Sequence, residues 1–388
     1  MEYIEHKVVF PEIDAPLRTN DSFSDMVDDD HHVGISPLRD LNFDMVTGFP
    51  LEYMHLVCLG CTKRLLRLWI KGPLKFRIGP LVKSQISDGL KSLRPFIPNE
   101  FARKPRALVE LDRWKATEYR LFLLYAGPVV LKGKIPKELY DNFMLLSTGI
   151  IILANPTLCQ CLNGFAKKLL TLFVQHVANL YGKGQVVYNV HSLLHLADDV
   201  LLHGPLDHFS AFAFENFMQE LKKLVRKPNL VLEQVVLRMS ERSKLSSKLP
   251  RCMSRENKMV LKMAHSNGPI PAGNAYIPCT QFQKVILKDF AISNKPPNNC
   301  IKVGSHVRQV QNIIQSDSGV YVMYNQFVSP QSFFEYPVDS VQIGIYKVSR
   351  LREQIDIAEV SSVEKKYALL PYQNQFVAFP MLHTCTNS

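Results

Sequence analysis

From Leu51 to about Arg242 the apolar residues recur at intervals of three and four, as in Leu65, Leu66, Leu68 and Trp69, and again in Leu169, Leu170, Phe173 and Val174. That spacing lines them along one side of a 3.6-residue repeat and predicts a mainly α-helical stretch. Pro95 to Pro98, Gly127-Pro128, Asn155-Pro156 and Gly182 to Gly184 interrupt the period, so several helices of ordinary length are expected rather than one long rod. Beyond Tyr276 the pattern changes to short runs rich in Val, Ile, Phe and Tyr: Lys284 to Leu287, Val320 to Tyr324, Val341 to Lys347 and Phe376 to Phe379. Turn-bounded runs of this kind predict strands of a small β barrel or sandwich. Residues 1–50 are irregular, punctuated by Gly34, Pro37, Gly48 and Pro50, and read as a connecting or strand-bearing lead-in. Residues 246–275 mix basic residues with Gly and Pro and carry no period, which marks a linker with room for one short helix. The expected fold class is α+β, divided into 1–50 (acidic lead-in), 51–245 (mainly helical), 246–275 (linker) and 276–388 (β-rich). No internal repeat or extended low-complexity tract is present.

Charge adds a partner class. With 388 residues and 46% hydrophobic content the chain exceeds the usual size of one domain, and its formal charge of +11 favours an anionic partner, nucleic acid first among them. The charge is uneven. Residues 12–44 hold Asp14, Asp21, Asp25, Asp28, Asp29, Asp30, Asp40 and Asp44, whereas residues 63–134 run from Lys63, Arg64 and Arg67 through Arg103, Lys104, Arg106, Arg113 and Lys115 to Lys134. Such a basic stripe can follow a phosphate backbone, and it can equally keep helices soluble. Eight unevenly spaced cysteines do not describe a secreted disulfide scaffold and favour a reducing compartment. Met1 to Phe10 lacks the apolar core of a secretory signal, and the richest apolar run, Asn142 to Ala154, is shorter than the ~20 residues of a membrane span. An intracellular protein, nuclear or cytoplasmic and without a membrane partner, is therefore expected, with homo-oligomerisation left open.

Several residue groups have the spacing of chemical sites. Cys58-Leu59-Gly60-Cys61 is a CxxC, as in a zinc half-site or redox pair, but no second CxxC completes it and Cys159-Gln160-Cys161 is too tight to serve. Lying in an apolar helix, the two thiols read better as buried side chains. His191 and His195 share a helical face, with Asp199 one turn on, and could bind one transition metal; position 192 is Ser, so the Glu of a zinc-protease HExxH is missing. His31-His32 beside Asp28 to Asp30 is a weak metal candidate or an exposed acidic loop. Phe214, Phe217, Met218, Leu221, Leu224 and Val225 form one apolar helical stripe, flanked by Glu215, Gln219, Lys222 and Arg226. Glu215 is thus either a carboxylate at a basic edge, suited to metal and DNA, or an ordinary boundary residue pairing with Lys222 or Gln219.

Pro50-Leu51-Glu52-Tyr53-Met54-His55-Leu56 is similar to the Asp-x-Met-His motif of CACTA-like (En/Spm-type) DNA transposases and their transposon-derived relatives in animal genomes. The similarity continues in Arg103-Lys104-Pro105-Arg106, in Trp114 to Glu118 followed by Leu123 to Pro128, in Asn189 to Asp199, and through Gly204 to Ser210-Ala211-Phe212-Ala213-Phe214-Glu215-Asn216-Phe217-Met218. It covers about residues 10–245; the β-rich tail resembles these proteins less distinctly. The resemblance implies a partial RNase H-like core in which three acids hold two divalent cations for phosphodiester cleavage and strand transfer, Mg²⁺ being the cation that carboxylates suit best. It makes Glu215 the candidate for the last acid and a metal ligand, with Glu52 and His55 as further catalytic candidates. It also offers Arg103, Lys104, Arg106, Lys115, Lys222 and Arg226 as DNA contacts. The family has Asp where this chain has Glu52, one methylene longer, which displaces a ligating oxygen. The alternative is that Glu52 and His55 organise the start of a buried helix. In the family the first acids lie upstream, and nothing before residue 50 supplies them; Asp14-Ala15-Pro16 matches such a motif in composition, but its place marks a loop. The expectation is a transposon-derived, DNA-associated protein with an incomplete two-metal site, which Mg²⁺ would occupy only if upstream residues completed it, or a non-catalytic nucleic-acid-binding or assembly protein that keeps the fold.

Overall fold

The computed structural model describes residues 2–4, 6–28, 31–248, 259–270 and 279–382. The chain forms two units, each assembled from separated stretches. The first comprises Met1–Ser92, Pro105–Ser210 and Phe334–Asp339, and the second Leu93–Lys104, Ala211–Phe333 and Ser340–Ser388.

The first unit opens with an antiparallel pair, β1 (Glu2–Ile4) and β2 (Lys7–Val9), and a short helix α1 (Asn20–Ser24) capped by the Thr19 hydroxyl. A nine-residue π-helix, Met54–Thr62, runs directly into α2 (Lys63–Lys71) and is succeeded by α3 (Pro80–Ser92) and α4 (Ala116–Leu121). A second π-helical turn, Phe122–Ala126, leads into α5 (Gly127–Leu131), then α6 (Lys137–Ala154), α7 (Leu158–Cys161), α8 (Asn163–Tyr181), α9 (Tyr188–His191) and α10 (Leu196–His203). The apolar run that begins at Asn142 is the core helix: α6 is buried continuously from Asn142 to Ala154. It packs on the apolar side of α8, and Gly149 permits the approach, because a Cβ there would meet Leu170 at 3.0 Å. Trp69 donates its indole N–H to the Tyr181 hydroxyl at 2.9 Å, tying α2 to α8. Among the described residues the strands of this unit are β1 and β2 alone, so the helical part of the expectation is what it displays. No described helix is long and apolar enough to cross a membrane.

The second unit contains α11 (Phe212–Leu224), α12 (Val231–Lys248) and an antiparallel sheet of ten strands. In chain order these are β3 (Val260–His265), β4 (Thr280–Ile286), β5 (Ala291–Ser293), β6 (Cys300–Val303), β7 (His306–Ser316), β8 (Gly319–Phe327), β9 (Tyr346–Val348), β10 (Leu351–Glu359), β11 (Val363–Tyr372) and β12 (Gln375–Pro380). Part of the stretch expected as a linker is therefore sheet: β3 pairs with β4, while residues 249–258 and 271–278 lie outside those described. Two long strands change partners along their length. β7 pairs with β8 on one side and with β6 and then β4 on the other; β11 pairs first with β6 and then with β12. The expected strand over Val341 to Lys347 is shorter than its hydrophobicity implied. Ser340–Ile343 is a 3₁₀ turn, held by the Ser340 hydroxyl, which accepts from Phe333 N–H and donates to the Ile345 carbonyl, and only Tyr346–Val348 joins the sheet.

Lys366 sits where β11 exchanges partners and is fully buried. Its ammonium donates to both Glu100 carboxylate oxygens (2.7 and 2.8 Å), to the Ala291 carbonyl (2.7 Å) and to Asn298 Oδ1 (2.8 Å). Glu100 Oε1 also accepts from Ala291 N–H, and Asn298 Oδ1 from Asn99 N–H. A charge out of water survives only if it is matched and fully hydrogen-bonded, and here one ammonium secures the Leu93–Lys104 segment, β5 and β11. Removing one partner strands the other: Glu100→Ala is expected to cost about 3–5 kcal/mol, whereas the double change Glu100→Leu with Lys366→Met restores most of it. Urea unfolding monitored by circular dichroism measures both.

Candidate functional site

The residues that carry the family resemblance start at Glu52. Its carboxylate caps the π-helix: Oε1 accepts from Met54 N–H at 2.6 Å, and Oε2 accepts from His55 N–H at 2.7 Å. His55 Nδ1 lies 2.7 Å from the same Oε2, and the Ser210 hydroxyl donates to Oε1 at 3.3 Å. Just before it, the Leu51 N–H donates to Asp199 at 2.8 Å. The first amides of a helix have no partner within it, and a carboxylate supplies one while also opposing the positive end of the dipole. Glu52 and His55 are thus brought together in a capping geometry at the start of the π-helix.

A Cβ on Gly60 would lie 2.6 Å from the Asn189 side chain and 2.9 Å from the His55 carbonyl, so glycine is needed for the close approach of α9. Cys61 donates its thiol proton to the Asn189 carbonyl, and Cys58 is buried against Tyr53. Burial pushes the Cys58 thiol up to about 12 and raises Cys61 as well, so the thiolate needed for zinc or redox chemistry is disfavoured at both. Beneath the capped end, Arg120 Nη2 on α4 donates to both oxygens of Asp207 (2.9 and 2.7 Å), and its guanidinium lies 5.6 Å from the centre of the buried Tyr53 ring. Arg120 and Asp207 were not singled out from the sequence; 87 residues separate the ion pair, and no spacing signals it.

His191 Nδ1 contacts the Phe10 carbonyl at 3.0 Å, and its ring centre is 5.5 Å from that of His195. Burial, reinforced by His191, holds His195 below the usual imidazole range. Asp199, the expected third member, serves Leu51 instead. His31 and His32 meet Phe23 edge to face, while Asp29 and Asp30 lie outside the described residues. Among the described residues no three His, Cys, Asp or Glu side chains gather as a metal-binding group. The carboxylates around the Glu52 motif are engaged by amide and guanidinium donors, a donor set that fits helix capping and does not fit two divalent cations.

Glu215 belongs to the second unit, exposed in the first turn of α11, with Lys222 and Arg226 exposed beyond it. Of its neighbouring apolar stripe only Leu224 is buried; Phe214, Phe217 and Met218 are 70%, 52% and 51% exposed. The basic candidates also divide. Arg103 and Lys115 are exposed, whereas Lys104 donates to the Ile97 carbonyl and Arg106 grips the buried Glu118 through Nε (2.5 Å) and Nη2 (2.7 Å). Glu118 in turn accepts from Lys115 N–H at the start of α4, so this acid and Arg106 are internal fasteners.

A family model described as "Domain of unknown function (DUF8592)" matches residues 264–381, the greater part of the sheet of the second unit. No curated protein and no solved structure matches the chain.

The capping geometry and the buried thiols are each open to measurement. Glu52→Ala is expected to destabilise the chain by about 1–2 kcal/mol and to accelerate amide hydrogen exchange at Met54 and His55. In native protein at pH 8, iodoacetamide is expected to label exposed Cys161 at least ~10-fold faster than buried Cys58 or Cys61, read by peptide mass spectrometry.

Proposed function

We propose that this protein is a DNA-associated derivative of a CACTA-like transposase with an RNase H-like ancestry, in which Glu52 and His55, two of the candidate catalytic residues, now serve to cap a helix. The observation that carries this reading is the Glu52 carboxylate, both of whose oxygens accept from the π-helix amides while one also meets His55. A carboxylate committed to two amide donors caps a helix without needing a cation. Binding to DNA needs no such site: it draws on the formal charge of +11 and on exposed side chains such as Arg103, Lys115, Lys222 and Arg226. Lys104 and Arg106, being engaged inside the fold, are left out of the interface.

Glu215 supports a second reading, because it is exposed on α11: a metal-dependent nuclease would use it as a Mg²⁺ ligand. Fluorescence anisotropy with a duplex of about 30 base pairs, titrated in KCl with and without EDTA, separates the two. The expected result is binding that is indifferent to EDTA and falls steeply with salt. Replacing Arg103, Lys115, Lys222 and Arg226 together by Gln should weaken it at every DNA sequence and lower the salt slope by about 0.9 for each phosphate no longer neutralised. Arg106→Gln should instead lower stability. An absence of binding at 50 mM KCl would overturn the proposal, and Mg²⁺-dependent nicking abolished by Glu215→Gln would replace it with the nuclease.

A further inference from the structure

Two cations stand on one row of the sheet. Lys366 on β11 lies opposite Ile301 on β6, Ile301 opposite Arg308 on β7, and Arg308 opposite Gln326 on β8. Directly opposed residues share a face, and this face is apolar, since Ile301, Val310 and Tyr324 belong to one buried cluster. A cation placed there has to find its acceptors within reach. Lys366 has the Glu100 carboxylate, the Ala291 carbonyl and Asn298. Arg308 has a phenol. Its guanidinium lies 4.4 Å from the centre of the Tyr324 ring, and Nη1 donates to the Tyr324 hydroxyl. Burial raises that hydroxyl above the usual tyrosine range, so it stays neutral and leaves the charge unanswered. Among the described residues no carboxylate pairs with Arg308, and Nε is buried without an acceptor.

The donors left over select a ligand. Nε and Nη2 form the side edge of a guanidinium, two parallel N–H groups at the spacing of the two oxygens of a carboxylate. Arg106 uses that edge in this same chain, holding Glu118 through Nε and Nη2. On Arg308 it meets no acceptor among the described residues. Gln326, the direct neighbour of Arg308, is 8% exposed, yet its side-chain amide makes no hydrogen bond among the described residues. It can therefore turn aside without giving one up. On the far side of Tyr324 stands Asp356, opposite it on β10, and its charge acts on the Tyr324 hydroxyl. A fixed negative charge there disfavours a phosphate dianion and leaves a singly charged group as the better fit. We propose that Arg308 and Tyr324 form a binding site for one carboxylate, from an acidic side chain or the C-terminus of a peptide partner, which takes the Nε–Nη2 edge as Gln326 moves aside.

Nuclear magnetic resonance of the arginine Nε–H groups in the full chain, at about 0.15 M NaCl to screen exposed charges, reads this edge directly. N-acetylglycine offers the carboxylate of a chain terminus and N-acetylglutamate α-amide that of an acidic side chain, so separate titrations distinguish the two sources. The expected result is a saturable shift of the Arg308 Nε–H resonance with one or both, half complete at or below about 1 mM. N-acetylglycinamide should leave it unmoved, and inorganic phosphate should bind at least ~10-fold more weakly. By isothermal titration calorimetry, Arg308→Lys, which keeps the charge and loses the planar edge, should weaken carboxylate binding at least ~10-fold. Gln326→Ala removes the cover and should tighten it at least ~2-fold, an effect that a stack of Arg308 on Tyr324 with a purely structural role does not produce. A resonance unmoved by either carboxylate at about 20 mM, phosphate binding as tightly as carboxylate, undiminished affinity in Arg308→Lys, or no tightening in Gln326→Ala would each overturn the assignment. Should Arg308→Lys fail to fold, the wild-type and Gln326→Ala titrations decide it.

Discussion

A buried ammonium is the constraint on which the second unit depends. Lys366 must be matched wherever it goes, and the position it occupies is the change of partner along β11, from β6 to β12. Glu100, Ala291 and Asn298 close around it, so three stretches far apart in sequence are fixed to one another by electrostatics rather than by the apolar packing that fills the rest of the sheet. Hydrophobic contacts tolerate some sliding. A four-acceptor cage does not, because a shift of an ångström leaves a buried charge without a partner.

The first unit treats its acids in a related way. Glu52 caps the π-helix, Asp199 holds the residue before it, Glu118 caps α4 while gripping Arg106, and Asp207 takes Arg120. In each case a carboxylate meets backbone amides at a helix start or a guanidinium in a partly dry setting, where such bonds are strongest. Sites that gather acids for catalysis keep them near one another and short of protein donors; these acids have donors in plenty. That contrast marks the Glu52 carboxylate as a helix cap.

The sequence is legible where one kind of regularity dominates. Three- and four-residue spacing identifies the helical middle of the chain, the β-branched runs locate β4, β8 and β12, and the apolar flanks of Cys58 and Cys61 mark them as buried. The strand β3 is not legible, because Val260–His265 is a single edge strand whose apolar residues are broken by Lys262 and do not alternate with polar ones. The stripe on α11 is periodic as expected, but periodicity reports amphipathicity and says nothing of whether a partner lies against it. Composition also divides a chain only into successive stretches, so it has no means of expressing that Leu93–Lys104 belongs with the sheet. The roles of Glu100 and Lys366, 266 residues apart, arise from three-dimensional proximity alone.

The same separation constrains how the protein is made. At roughly 5–20 residues per second, Glu100 is synthesised about 13 to 53 seconds before Lys366. For that interval the Leu93–Lys104 segment has no counter-charge to close upon, and β6 has no β11 to pair with. The sheet therefore closes only once β11 has emerged from the ribosome, and a nascent chain stalled before that point exposes a carboxylate and open strand edges to the surrounding proteostasis machinery.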